Sequence, residues 1–220
     1  QLERFLGIDA ASGLRWVDVH ARGFALVFTP FEVADRMREQ IRAQSAAWIF
    51  TSATLAVGAD FSHFTRRLGL DNARTVQIAS PFDFERQARL YLPEIEGDPN
   101  DAGHPARVIE AAWPLIQAAG GRAFLLFTSH RALAEAARLL RSRADLQRYP
   151  LLVQGEAPRE VLLRRFRELG NAVLLGTASF WEGVDVKGDA LCVVVIDKLP
   201  FASPEDPVLK ARIEGIRRRG

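Results

Sequence analysis

Cysteine is nearly absent: Cys192 stands alone in 220 residues. One thiol excludes a disulfide framework and any cysteine-built zinc or iron–sulfur site, and it suits a reducing compartment. Long apolar runs are missing too. No stretch reaches the roughly 18 uninterrupted residues of a membrane-spanning helix, and no basic-then-apolar leader opens the chain. Lysine is scarce, with Lys187, Lys198 and Lys210 alone, so the cationic side is almost wholly arginine. Lys+Arg is 29 against 27 Asp+Glu, a formal charge of only +2, too balanced to mark a strongly basic nucleic-acid binder by itself. Histidine numbers 4. His20, His63 and His104 lie far apart with no ligand spacing, so no metal site is expected.

What is present is an ordinary globular composition, 48% hydrophobic and 25% charged, long enough for one sizeable core. Cys192 lies in the apolar run Leu191 to Ile196 and reads as a small buried hydrophobe.

The second half of the chain is legible. Ala123 to Phe127 is a short continuous apolar run ending in Thr128-Ser129-His130. Leu133, Ala136, Ala137 and Leu140 follow at helical spacing. Leu151 to Val153, Ala172 to Leu175 and Leu191 to Ile196 predict further buried strands, and Val161, Leu162, Phe166 and Leu169 predict a helix. Strands without polar alternation, separated by amphipathic helices, imply an α/β fold with a mostly parallel sheet flanked by helices.

The first half is less regular. Leu14 to His20 and Phe24 to Phe28 suggest a hairpin, and Val33 to Gln44 a helix. Trp48-Ile49-Phe50 predicts a strand running into Thr51-Ser52-Ala53-Thr54-Leu55. Phe61 to Leu68 predicts a helix ended by Gly69. Val76 to Ile78 and Arg89 to Leu92 predict strands around the Ser80-Pro81-Phe82 turn. Pro105 suits the first turn of a helix after the polar loop Glu96 to His104.

Three apolar strands stop in small hydroxyl or glycine residues before a helix or turn: Thr51 to Thr54, Thr128 to His130, and Gly176 to Ser179. Ligands of open α/β sheets gather at such strand ends, where free N–H groups meet anions. Ser and Thr also cap helices, so one site alone means little. Gly176 to Asp185, GTASFWEGVD, is the densest segment. Gly183 permits close backbone approach or positive φ, Glu182 and Asp185 flank it, and Trp181 serves either base stacking or core packing.

These residues carry a family resemblance. TSATL at 51–55 resembles helicase motif III, FTSH at 127–130 motif IV, and GTASFWEGVDVKG at 176–188 motif V, followed by VVVIDKLPF at 193–201. PFDF at 81–84 and PEDPVLKARIE at 204–214 fit as well. Together they resemble the DinG/XPD (Rad3-like) helicases of superfamily 2, nearest the bacterial DinG-like and YoaA-like members, from about Trp16 onward.

The resemblance implies a RecA-like second motor domain, P-loop NTPase-like, over residues 1–220, with 1–45 joining it to an upstream domain. It implies an ATP-dependent 5′-to-3′ DNA helicase of repair or replication. Thr51, Ser52 and Thr54 would couple nucleotide state to domain movement. Thr128, Ser129, His130, Thr177, Ser179 and Trp181 would face single-stranded DNA, and Glu182, Gly183 and Asp185 the ATP cleft. The phosphate loop, the DEAH-type box and any iron–sulfur cluster belong to the upstream domain in that family. ATP and Mg²⁺ would therefore be held by the full-length enzyme, and this segment, ending before the motif VI arginines, is expected to be inactive alone. Expected partners are single-stranded DNA, the upstream helicase domain and replication or single-strand-binding proteins, without a membrane, in a bacterial cytoplasm near the nucleoid. The competing expectation is a stand-alone α/β module binding nucleic acid or a protein partner without motor activity.

Overall fold

The computed structural model describes residues 5–7, 12–181, 183–186, 188–201 and 206–219. The chain divides into two compact units, one of residues 1–89 with 202–220 and one of residues 90–201.

The first unit opens on an antiparallel hairpin, β1 (Gly13–His20) with β2 (Gly23–Pro30). The Trp16 indole donates to the Thr29 hydroxyl across it at 3.1 Å. Helix α1 (Ala34–Ala43) and helix α2 (Ser62–Leu68) pack on each other. As expected, α2 ends on Gly69, which takes a left-handed conformation at φ 66°. A four-residue helix, α3 (Phe84–Gln87), is capped by Asp83. The unit also includes the terminal helix α7 (Pro207–Arg219).

Two expected strands of this unit do not form among the described residues. Trp48 to Phe50 and Val76 to Ile78 pair with no neighbour, and Ile49 and Ile78 are 85% and 87% exposed. Strand-forming composition is insufficient without a ladder partner, because sheet stability comes from cross-strand pairs. The strand expected at Arg89 to Leu92 fails likewise, with Leu90 and Leu92 bare.

The second unit holds the sheet. Helix α4 (His104–Ala118) precedes β3 (Ala123–Leu126), followed by α5 (His130–Arg141), β4 (Leu151–Val153), α6 (Arg159–Leu169), β5 (Val173–Gly176) and β6 (Val193–Ile196). The strand order is β4-β5-β3-β6, every neighbouring pair parallel. This is the expected α/β architecture, a parallel sheet flanked by helices, consistent with a RecA-like domain.

Alternate residues of β3 and β5 feed two hydrophobic layers. Ala123, Leu125, Val173 and Leu175 join Trp113 and Ile116 of α4 and Ala136 and Leu140 of α5. Phe124, Leu126 and Leu174 point the other way, onto Leu162, Leu163 and Phe166 of α6. Period-two alternation thus partitions helices as well as side chains. Strand β6 departs from this pattern. Val193 and Val195 pack on the first layer, while Val194 and Ile196 are 53% and 45% exposed. Cys192 shares their parity and is exposed rather than buried, because α6 does not extend over this edge strand.

Candidate functional site

The carboxyl ends of β3, β5 and β6 lie side by side. Main-chain bonds continue past the strands, from Phe127 N–H to Gly176 O at 2.8 Å and from Asp197 N–H to Leu126 O at 3.1 Å. The residues after each strand are thereby brought to one edge. Thr128 and Thr177 stand there, just after β3 and β5, with Asp197 after β6; Thr51, Ser52 and Thr54 belong to the first unit. In that first unit, Ser52 Oγ accepts the Thr54 N–H at 3.1 Å, a local turn with all three hydroxyl residues exposed.

At the end of β3, Ser129 caps α5, its hydroxyl accepting the Ala132 N–H at 3.2 Å. His130 is exposed at the first helical position. Asp197, which follows β6, holds the neighbouring turn. Its Oδ1 accepts the N–H groups of Thr128 at 3.1 Å and Lys198 at 2.8 Å. Its main-chain oxygen accepts from His104 Nε2 at 3.1 Å, so that nitrogen carries the proton. Burial pushes the Asp197 carboxyl above its ordinary range, opposed by the Lys198 and Thr128 N–H groups and by the Lys198 and His104 charges.

Beside this turn opens a pocket of about 350 Å³, lined among others by Asn100, His104, Ser129, Arg131, Asp197 and Lys198. Lys198 Nζ donates to Pro99 O and Asn100 Oδ1, both at 3.2 Å, and so is held by neutral oxygens. The carboxylates of the lining are engaged: Glu135 with Arg138 at 2.6 Å and Asp101 with Arg107 at 3.7 Å.

At the end of β5, Gly176 lets Phe180 fold back onto the strand; a Cβ there would sit 2.8 Å from the Phe180 side chain. Thr177 is only 7% exposed, and both its N–H and its hydroxyl donate to Gln154 Oε1, at 2.6 and 3.1 Å. Ser179 is exposed, and Trp181 is half-buried against the layer beneath α6. Gly183 takes the positive φ, 66°, that its residue type allows. Asp185 is exposed, and Glu182 lies outside the described residues.

Three residues of this constellation carried no sequence signal. Gln154, Arg159 and Arg167 all hold the 176–185 segment, the arginines through main-chain oxygens of Ser179, Gly183 and Asp185. Only the place of Gln154, directly after an apolar strand, could have suggested it.

The amino-acid sequence is similar to that of known proteins. Residues 112–220 match the helicase C-terminal domain model. Over all 220 residues the chain is 44% identical to the ATP-dependent DNA helicase YoaA of Escherichia coli K12, covering 34% of that protein. It is 33% identical over 231 aligned residues to the 3′-5′ exonuclease DinG of Bacillus subtilis 168, covering 98% of this chain and 24% of that one. It is 35% identical over 195 residues to the ATP-dependent helicase DinG of Mycobacterium tuberculosis H37Rv. The chain thus spans about a third of the length of the YoaA relatives it matches. The chain belongs to the DinG/YoaA-like helicase family, its helicase C-terminal domain lying in residues 112–220.

Proposed function

We propose that this chain supplies the second motor domain of an ATP-dependent helicase that moves 5′ to 3′ along single-stranded DNA. The observation that carries the proposal is the alignment of the carboxyl ends of β5, β3 and β6, from which the segments beginning at Thr177, Thr128 and Asp197 set out side by side. A second motor domain needs such an edge, because it must grip the strand and close the nucleotide cleft with the same loops.

The division of labour follows the chemistry. Ser129, His130 and the exposed Ser179 lie toward the DNA backbone, with Thr128 and Thr177 holding the strand ends that carry them. Arg131 and Lys198, beside the α5 N-terminus, add positive charge suited to a phosphodiester. Trp181 offers the open part of its ring to a base. Gly183 and Asp185, with Glu182 between Trp181 and Gly183 in sequence, face the nucleotide. Thr51, Ser52 and Thr54 couple nucleotide state to movement.

ATP is bound between this domain and an upstream one, so hydrolysis changes the separation of two DNA grips and advances the strand. Among the described residues no three His, Cys, Asp or Glu side chains converge as metal ligands. The same reading gives the Mg²⁺ ligands, the phosphate loop and any iron–sulfur cluster to the upstream domain, as the family resemblance implies. Residues 1–45 join this domain to the upstream one, and the exposed side chains of Ile49, Val76 and Ile78 are suited to contact it. No described helix is long and apolar enough to cross a membrane. A cytoplasmic, nucleoid-associated setting and contacts with replication or single-strand-binding proteins belong to the same proposal.

The test uses the full-length protein. ATPase activity should rise on adding single-stranded DNA, and a duplex with a 5′ tail should unwind while one with a 3′ tail does not. Asp185→Ala should depress the ATPase sharply, and residues 1–220 alone should show none. DNA-independent turnover, or unwinding from the 3′ tail, contradicts the proposal; DNA binding without any turnover favours a non-motor module.

A further inference from the structure

Helix α6 directs two arginines two turns apart onto main-chain oxygens of the 179–185 segment, and Arg159 also pairs with the exposed Glu160 carboxylate at 3.3 Å. Arg159 Nε donates to Ser179 O at 3.0 Å and its Nη2 to Gly183 O, also at 3.0 Å. Arg167 Nη2 donates to Asp185 O at 2.6 Å. Arg164, on the same helix, behaves as a solvated surface charge, pairing with Glu168 at 3.9 Å with both side chains about two-thirds exposed. Arg159 keeps only 34% of its side chain exposed and lies 5.8 Å above the Phe180 ring.

We propose that Arg159 and Arg167 are positioning residues that set the shape of the 176–185 loop through its main-chain carbonyl groups. A guanidinium fork can reach two oxygens in fixed directions, which an ammonium cannot. Charge-assisted bonds to carbonyls are also stronger than neutral ones. In a trans peptide the N–H of the next residue points opposite the carbonyl. Drawing the Gly183 and Asp185 oxygens toward α6 therefore turns the Val184 and Val186 N–H groups away from it. Gly183, at φ 66°, takes the left-handed conformation that aims its own carbonyl.

The inference rests on the motor reading, since it gives the two arginines different duties. Arg159 bridges Ser179, on the DNA side of the loop, and Gly183, on the nucleotide side, so it ties one response to the other. Arg167 touches the nucleotide side alone, at Asp185.

The experiment compares variants of the full-length protein for ATPase kinetics with and without single-stranded DNA, and for melting temperature. Arg167→Ala should raise the KM for ATP about tenfold, the worth of one charge-assisted hydrogen bond, with Arg167→Lys recovering most of the loss. Arg159→Ala and Arg159→Lys should both cut the DNA stimulation ratio several-fold, because a lysine cannot span two carbonyls. Arg164→Ala should match wild type. If Arg159→Lys folds and keeps full stimulation while Arg167→Ala keeps the wild-type KM, the positioning role is overturned. A wild-type protein without DNA-stimulated ATPase would instead sink the motor reading, leaving a loss of melting temperature as the arginines' only effect.

Discussion

The Gln154 carboxamide oxygen accepts both hydrogens of Thr177, the N–H at 2.6 Å and the hydroxyl at 3.1 Å. Thr177 is buried, so these donors have no water to turn to. Gln154→Ala should cost about 2–3 kcal/mol, read as a lowered urea midpoint with an unchanged slope. Gln154→Glu retains an acceptor and should recover most of it. Equal stability of the alanine variant and wild type would show that Thr177 finds another partner.

Asp197 predicts a pH dependence. Burial raises its folded pKa above the unfolded value, so the folded state binds the proton more tightly. Its contribution is fully present below the unfolded pKa and is lost as pH rises through the folded one. As pH rises from below the ordinary carboxylate pKa toward neutral, wild type should lose melting temperature relative to Asp197→Asn, which keeps an oxygen for Thr128 and never ionises. Parallel melting curves across that range would contradict the assignment.

Adjacent glycines should differ sharply. Gly120 and Gly121 both have positive φ, 66° and 82°, but a Cβ at Gly120 meets nothing within 4 Å, whereas one at Gly121 lands 2.1 Å from Asn171 O. Gly120→Ala should cost about 1 kcal/mol from backbone strain alone. Gly121→Ala adds a clash with main chain that cannot rotate away and should cost roughly twice that or more. Chemical denaturation of both variants gives the ordering.

Phe166 is fully buried, edge-on to Phe124 at 4.6 Å between centroids. Phe166→Ala should cost about 3–5 kcal/mol and Phe166→Leu roughly 1–2. Ile78→Ala, at a side chain 87% exposed, should change stability by less than about 0.5 kcal/mol. Thermal melts distinguish the two classes directly.

How far the fold could be read in advance varied with whether each segment carries its own partners. Strands β3, β4 and β5 were legible because buried parallel strands need continuous apolar runs, and each finds a neighbour within residues 90–201. Trp48 to Phe50 is as apolar, and Val76 to Ile78 sets two β-branched residues around Gln77, but pairing depends on a second strand that local composition cannot report. Cys192 is exposed for a related reason: an apolar run does not say whether a helix covers both faces. At the candidate site, the hydroxyl-rich strand ends and Gly183 were visible because their residue types are unusual where they stand. Arg159 and Arg167 were not, since an arginine on an amphipathic helix looks the same whether it ends in water or on a carbonyl. Gln154 was hidden because its contact with Thr177 spans 23 positions.

The two-sided layering of β3 and β5 has a consequence for insertions. A single residue added between Ala123 and Phe124, with the register before it kept, would swap the partners of Phe124 and Leu125, sending an aromatic ring toward α4 and α5 and a leucine toward α6. The same slip would carry Thr128 one pleat beyond the reach of Asp197. Length in these strands is therefore gauged in pairs: two extra residues preserve which helix each side chain meets, one does not, and the loops at the strand tips inherit that parity.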